Sequence, residues 1–147
     1  MHRGLEFNAK AKLHERISCS ANYSFTDAFF NGGQYDKKMI PAVPVHRWGA
    51  EADIKLHKYL SFSLLGNYVG ERYFINDQTN SLPRMASYFV VDAKLNFAKD
   101  NYSLFLAINN LFNEEYYEYG AAGYPRTYKN YYPQAKRNFN FGAAVKF

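Results

Sequence analysis

The chain has 147 residues, 48% of them apolar and 21% charged, which suits one domain and excludes a disordered or low-complexity polymer. Fourteen Tyr, 13 Phe and one Trp bring the aromatic share to 19%, a surplus that favours strands over helices, and the net charge of +5 comes from Lys and Arg scattered singly, which argues against nucleic acid as a partner. Mean hydropathy is -0.47 and no run approaches the roughly 18 apolar residues of a spanning helix; a helical membrane protein is excluded, whereas a β-barrel, whose alternating strands dilute the signal, is not.

The N-terminal stretch MHRGLEFNAKAKLHERIS has no apolar run followed by a small-residue cleavage site, so no signal peptide is expected. From about Arg3 to Leu13 the chain alternates strictly, with Leu5, Phe7, Ala9, Ala11 and Leu13 opposite Glu6, Asn8, Lys10 and Lys12. A second segment, about Ile17 to Asp27, sets Ile17, Cys19, Ala21, Tyr23 and Phe25 against Ser18, Ser20, Asn22, Ser24 and Thr26. Cys19 is the only cysteine, which forbids an internal disulfide and argues against a thiolate metal cluster. The third segment runs from about Arg47 to Leu56, with Trp48, Ala50, Ala52, Ile54 and Leu56 opposite Gly49, Glu51, Asp53 and Lys55.

In the fourth, about Leu60 to Tyr73, Phe62, Leu64 and Tyr68 alternate with Ser61, Ser63 and Asn67, and Leu65 and Val69 blur the pattern. Gly66 and Gly70 there suggest a bend or room for an aromatic neighbour. The fifth, about Ser87 to Phe97, carries Phe89, Val91, Ala93, Leu95 and Phe97 on one face; the sixth begins at Tyr102 with Leu104, Leu106 and Ile108. The seventh is terminal: Phe139, Phe141, Ala143, Val145 and Phe147 alternate with small or polar residues. Each segment is about 10 residues or slightly more, the length with which a tilted strand crosses a bilayer.

Connections fall into two classes. His14-Glu15-Arg16, His57-Lys58-Tyr59 and Ala98-Lys99-Asp100-Asn101 make tight hairpins, whereas AFFNGGQYDKKMIPAVPVH, FINDQTNSLPRMA and GAAGYPRTYKNYYPQ are long and contain Gly or Pro. Short and long connections alternate, so all short ones lie at one end of an antiparallel meander and all long ones at the other. That asymmetry, with a polar second face, fits an outer-membrane barrel with periplasmic turns, extracellular loops and a periplasmic C-terminus better than a soluble β-sandwich. Seven is odd, whereas bacterial barrels have even strand counts, so the chain is expected to be a fragment lacking at least one upstream strand.

No catalytic or metal constellation is present in the sequence: His2, His14, His46 and His57 lie at strand ends or turns, and adjacent Glu114 and Glu115 would point to opposite faces of a strand. No enzyme activity and no cofactor are expected. Asn109 and Asn110 fit local backbone bonding at a bend, and Trp48, Tyr68, Tyr73 and Tyr116 fit interfacial girdles. Aromatic and basic residues of the long loops, Lys38, Arg84, Tyr124, Arg126 and Tyr128 first among them, suit an anionic or aromatic ligand.

Several of these segments together resemble TonB-dependent outer-membrane receptors. INNLFNEEYYEYG at 108–120 resembles that family's motif on the penultimate strand, here Asn110, Leu111, Phe112, Asn113 and Tyr116; Tyr131, Tyr132 and Pro133 resemble its following turn. IPAVPVHR at 40–47 resembles its strand entry, and YFVVDAKLNF at 88–97 another of its strands. The resemblance implies that residues 1–147 form the C-terminal part, about the last third, of a barrel of about 22 strands whose plug domain is absent from the sequence. It implies active uptake of a scarce nutrient, most readily a ferric siderophore or similar iron chelate, with haem, cobalamin and glycans as the other ligand classes. It also implies as partners outer-membrane lipid and lipopolysaccharide, the TonB complex through the missing N-terminal part, and the barrel-assembly machinery, which would read Phe139, Phe141, Val145 and Phe147. The alternative is a smaller outer-membrane barrel acting as structural protein, pore or adhesin; an outer-membrane hydrolase is a third reading.

Overall fold

The computed structural model describes residues 1–123 and 128–147. Its elements are strands throughout: β1 (His2–His14), β2 (Ile17–Ala28), β3 (His46–His57), β4 (Leu60–Val69), β5 (Tyr88–Lys99), β6 (Tyr102–Asn109), β7 (Tyr117–Ala122), β8 (Lys129–Pro133) and β9 (Asn138–Val145). Seven of them form one antiparallel sheet in the order β1-β2-β3-β4-β5-β6-β9, and β7 pairs with β8 in a separate hairpin. Among the described residues no helix is long and apolar enough to cross a membrane.

Register carries the alternation across the whole sheet. One row reads Phe7, Tyr23, Trp48, Tyr68 and Phe89; another reads Cys19, Ala52, Leu64, Ala93, Ile108 and Phe139, all on the apolar face. The opposite face reads Lys12, Ser18, Asp53, Ser63 and Lys94, with the Ser63 hydroxyl donating to Asp53 Oδ1 at 2.6 Å. Because the side-chain period is two, a slip of one residue would put every apolar side chain on the polar side.

The sheet has no dry centre. Leu5 and Phe7 are 73% and 64% exposed, Phe139 and Phe141 are 63% and 87% exposed, and among the described residues the buried apolar side chains are Ala28, Pro44, Phe74, Met85, Val90 and Ala93. Exposed apolar area on this scale marks a surface that meets a partner or an apolar medium. Trp48 stacks on Tyr68 at 5.6 Å and meets Phe89 at 5.0 Å, an aromatic row on that face. Phe89 in turn lies over Gly66, where a Cβ would come within 2.9 Å of its ring, so this glycine gives room to an aromatic neighbour.

Tight turns follow the expected pattern. Asp100 takes φ 51° in the β5–β6 hairpin, the left-handed conformation that short antiparallel connections need. Leu65 and Val69, which blur the alternation in the sequence, pair with Glu51 and Arg47 and face the polar side.

Four expectations need correction. The fourth strand stops at Val69 and does not reach Tyr73: Gly70 N–H still meets the His46 carbonyl at 2.8 Å, an approach that leaves 2.9 Å between a Cβ and that oxygen, and beyond it Arg72 bridges to Met85 across the loop. Asn110 to Asn113 lie beyond β6, in a turn where Asn110 and Asn113 adopt φ 53° and 58°, so the motif ends the strand and does not sit on it. Tyr131, Tyr132 and Pro133 belong to strand β8 and make no turn, because the last long connection folds into a hairpin of its own. Tyr116 joins no outer girdle: it stacks on Tyr88, in the polar-face row of Arg47 and Val69, at 4.6 Å.

Candidate functional site

All long connections meet at one end of the sheet, and three asparagines join them there. Asn110, only 2% exposed, receives the Glu114 N–H on Oδ1 at 2.8 Å and donates Nδ2 to the carbonyls of Glu114 and Ala135 at 2.8 and 3.2 Å. Its backbone N–H reaches Asp92 Oδ1 at 2.8 Å, so one residue ties β5, the end of β6 and the approach to β9. The expected role as a backbone binder at a bend is met by Asn110; Asn109 instead donates Nδ2 to the Asn138 side-chain Oδ1 across the β6–β9 pair at 2.7 Å. Asn80 binds both backbone groups of Met39, and Asn76 binds both of Ala122, at 2.6 and 2.8 Å.

Between these clamps lies the only substantial packing of the described loops. Phe74, fully buried, meets Tyr131 edge-on at 5.4 Å and rests against Gly120, where a Cβ would stand 2.8 Å from Met85 Sδ. Arg72 is 3% exposed and donates to the carbonyls of Gly70, Ala86, Tyr117 and Glu118 while its guanidinium lies 5.3 Å from the Tyr88 ring centre. Burial lowers its pKa, and Tyr88 and Glu118 oppose that shift. Carbonyl dipoles and a ring face are what a buried guanidinium needs in place of water.

On the polar face below this loop body opens a hollow of about 520 Å³, lined by Arg47, Asn67, Arg72, Tyr88, Asp92, Asn109, Asn110, Tyr116, Glu118 and Asn138 among others. Burial raises the Tyr116 pKa, with Glu118 and Asp92 adding to it, so the phenol stays protonated and available as a donor. Two guanidiniums, two carboxylates, two phenols and several carboxamides on one wall can bind a polar, multidentate molecule by charge-assisted bonds and ring contacts. Among the described residues no group of His, Cys, Asp or Glu could hold a metal ion.

The structure distributes the sequence candidates differently. Lys38 is exposed in a turn of the first long loop, its N–H donating to the Tyr35 carbonyl at 2.9 Å. Arg84 lies over the Tyr73 ring at 5.0 Å, beside Glu71 at 3.9 Å and Met39 Sδ at 3.8 Å. Tyr128 is 64% exposed and its carbonyl accepts the Gly123 N–H at 2.7 Å; Tyr124 and Arg126 lie outside the described residues. None of Lys38, Arg84 and Tyr128 lines the hollow. Glu114 and Glu115 are not on a strand, and hydrogen bonds from Tyr117 and Lys136 hold the Glu115 carboxyl below its ordinary pKa. Sequence reasoning missed Arg47, Arg72, Tyr88, Tyr116 and Glu118 as a group. Parity alone placed Arg47 and Tyr88 on the polar side; nothing local announced that Arg72 and Glu118, 46 positions apart, would meet.

Comparison with known proteins agrees with this geometry. A family model described as TonB dependent receptor-like, beta-barrel matches residues 1–111. The ferrichrome outer membrane transporter/phage receptor of Escherichia coli (strain K12) is 33% identical over 126 residues, covering 78% of this chain and 16% of that protein. The crystal structure of the ferric yersiniabactin uptake receptor from Yersinia pestis superposes on 99% of this chain and 23% of its own with TM-score 0.84 at 24% identity. The unliganded ferric citrate transporter superposes on 99% of this chain and 24% of its own, also at 0.84, with 18% identity. At these identities the structural likeness concerns the fold, and the chain spans less than a quarter of each of these relatives. The family is one of receptors and transporters. With its one-sided apolar sheet, its alternating turns and loops and the family match over residues 1–111, this chain belongs to the TonB-dependent receptor β-barrel family.

Proposed function

We propose that the intact protein is an outer-membrane receptor that takes up a ferric siderophore or similar iron chelate with energy supplied through TonB, and that this chain contributes barrel wall and three loops. The observation that carries this reading is the family match over residues 1–111, with a curated relative named for ferrichrome. The apolar face lies against lipid, the polar face lines the lumen, the long connections are extracellular, and the short turns and C-terminus are periplasmic. The polar wall of Arg47, Tyr88 and Tyr116 supports the reading, as it offers cationic and phenolic contacts on the path of an anionic, oxygen-rich chelate. Lys38, Arg84, Tyr124, Arg126 and Tyr128 act at the rim as first contacts. Lipopolysaccharide borders the apolar face. No step of the reading calls for catalysis.

Phe139, Phe141, Val145 and Phe147 serve as the barrel-assembly signal in this reading. Phe139, Phe141 and Val145 on the edge strand β9, and Phe147 two residues beyond it, are exposed, so a foreign sheet edge can pair with the backbone while reading alternate side chains. The test is uptake by cells carrying the intact gene of a panel of ferric chelates and haem labelled with radioactive iron, and of cobalamin labelled with radioactive cobalt. Uptake of at least one ferric chelate that vanishes without TonB is expected. Energy-independent flux of all small solutes alike would show a pore and overturn the reading.

A further inference from the structure

Six of the chain's 18 Lys and Arg residues lie at the short-turn end of the sheet. Lys12, Arg16, Lys55, Lys58, Lys99 and Lys146 all lie in or within three residues of the short turns or next to the C-terminus, against Glu15 and Asp100. Most of these are turn or polar-face positions. Lys58 and Lys99 differ, because both converge on one ring of the apolar face.

That ring is Tyr59. Its carbonyl accepts the Ala98 N–H at 2.9 Å, which holds the β3–β4 turn against β5. The ring meets Phe97 at 6.4 Å on the apolar side and His57 at 5.5 Å. Over it stand Lys58 Nζ at 4.7 Å and Lys99 Nζ at 5.6 Å from the ring centre. Two ammonium groups gathered on one ring repel each other, and among the described residues neither forms an ion pair with a carboxylate. Phe97, Leu60 and Leu104 share one row of the apolar face, so the ring marks the border between acyl chains and headgroups.

We propose that Lys58, Lys99 and Tyr59 form a seat for the phosphate of an anionic phospholipid in the periplasmic leaflet. The proposal rests on the orientation given above, with short turns facing the periplasm. Charge complementarity selects the headgroup: one phosphodiester between two ammoniums relieves their repulsion, and the phenol hydroxyl can donate to a phosphate oxygen. Position selects a lipid over a soluble anion, because Phe97 and Leu60 continue from the seat into the acyl region.

The intact receptor in nanodiscs of phosphatidylethanolamine with a minor share of phosphatidylglycerol tests this by native mass spectrometry of retained lipid. Wild type is expected to retain phosphatidylglycerol in preference to phosphatidylethanolamine, and Lys58→Gln/Lys99→Gln to lower that preference at least about five-fold. Lys10→Gln/Lys12→Gln, on the polar face, is expected to leave it unchanged, and heat-modifiable gel migration should report a folded barrel in all three. Millimolar inorganic phosphate should not displace the lipid. An unchanged preference in the Lys58/Lys99 variant, an equal loss in the polar-face variant, or displacement by inorganic phosphate would each overturn the proposal. Ferric chelate binding by the same samples is a separate readout: its absence counts against the receptor reading while the lipid preference stands. Labelling of Lys58→Cys by an impermeant thiol reagent added outside whole cells would overturn the orientation and the leaflet together.

Discussion

The carboxamide of Asn80 closes a two-point bond on the backbone of Met39: Oδ1 accepts the Met39 N–H at 2.7 Å and Nδ2 donates to the Met39 carbonyl at 3.0 Å. Asn80 holds φ 53° to reach it, and the two residues are 41 positions apart. With the matching Asn76 clamp on Ala122, the loop after β4 is stapled to the loop before β3 and to the β7–β8 hairpin at once. The long-loop end is therefore one body built from three connections, in contrast to loops that move independently.

Removing that staple should be felt locally. Asn80→Ala leaves two part-buried backbone groups without partners, at a cost of about 1–3 kcal/mol in local stability. Hydrogen exchange on the intact receptor should show the Met39 amide opening at least about five-fold faster, with β2 and β3 amides unchanged. Equal protection of Met39 in both proteins would mean that the staple carries no weight.

Gly120 gives a packing prediction. An added Cβ meets Met85 Sδ at 2.8 Å and the Phe74 ring at 3.0 Å, and both neighbours are buried. Gly120→Ala should destabilise the loop body by about 1–3 kcal/mol, because neither neighbour has open space to enter. Phe74→Leu in the same protein should recover part of the loss. Differential protease sensitivity of the 70–87 loop measures both, and an Ala variant as resistant as wild type contradicts the packing.

Asp77 makes the same loop pH-dependent. Burial pushes its carboxyl pKa up, but N–H groups of Leu82 and Ser81 and hydroxyls of Thr79 and Ser81 bond the charged form and outweigh it, holding the pKa below the ordinary 3.8. A group with a depressed folded pKa contributes stability above its unfolded pKa and loses it as pH falls through the folded value. The loop should resist pepsin at pH values above about 3.8 and become cleavable near Leu82 progressively below it. In Asp77→Asn the pH dependence should disappear; identical pH profiles for the two proteins would remove Asp77 as the cause.

Adjacent leucines test the two faces of the sheet. Leu64 pairs with Ala52 and Ala93 on the apolar face, whereas Leu65 pairs with Glu51 and Asp92 on the polar one. Leu64→Arg in the intact barrel should cost about 2–4 kcal/mol, the cost of a cation against lipid. Leu65→Arg should be tolerated, its charge flanked by two carboxylates. The midpoint of heat-modifiable gel migration separates them; similar midpoints would sink the assignment of faces.

Much of this protein was legible as periodicity. Alternation in 3–13, 17–27 and 47–56 placed β1, β2 and β3 within a residue, and turn length alone placed all long connections at one end. These features are local, since a strand's faces follow from its period and a hairpin's reach from its length. What the sequence could not reveal depends on partners far along the chain. Leu65 and Val69 were ambiguous until pairing put them beside Glu51 and Arg47; Asn110 and the β7–β8 hairpin took their form from contacts with 92, 114 and 135, and with 74 and 85. Residues whose role is to join loops carry no period. Tertiary contact alone decided that Arg72 would be buried among carbonyls and that Lys99 would join Lys58 over the Tyr59 ring.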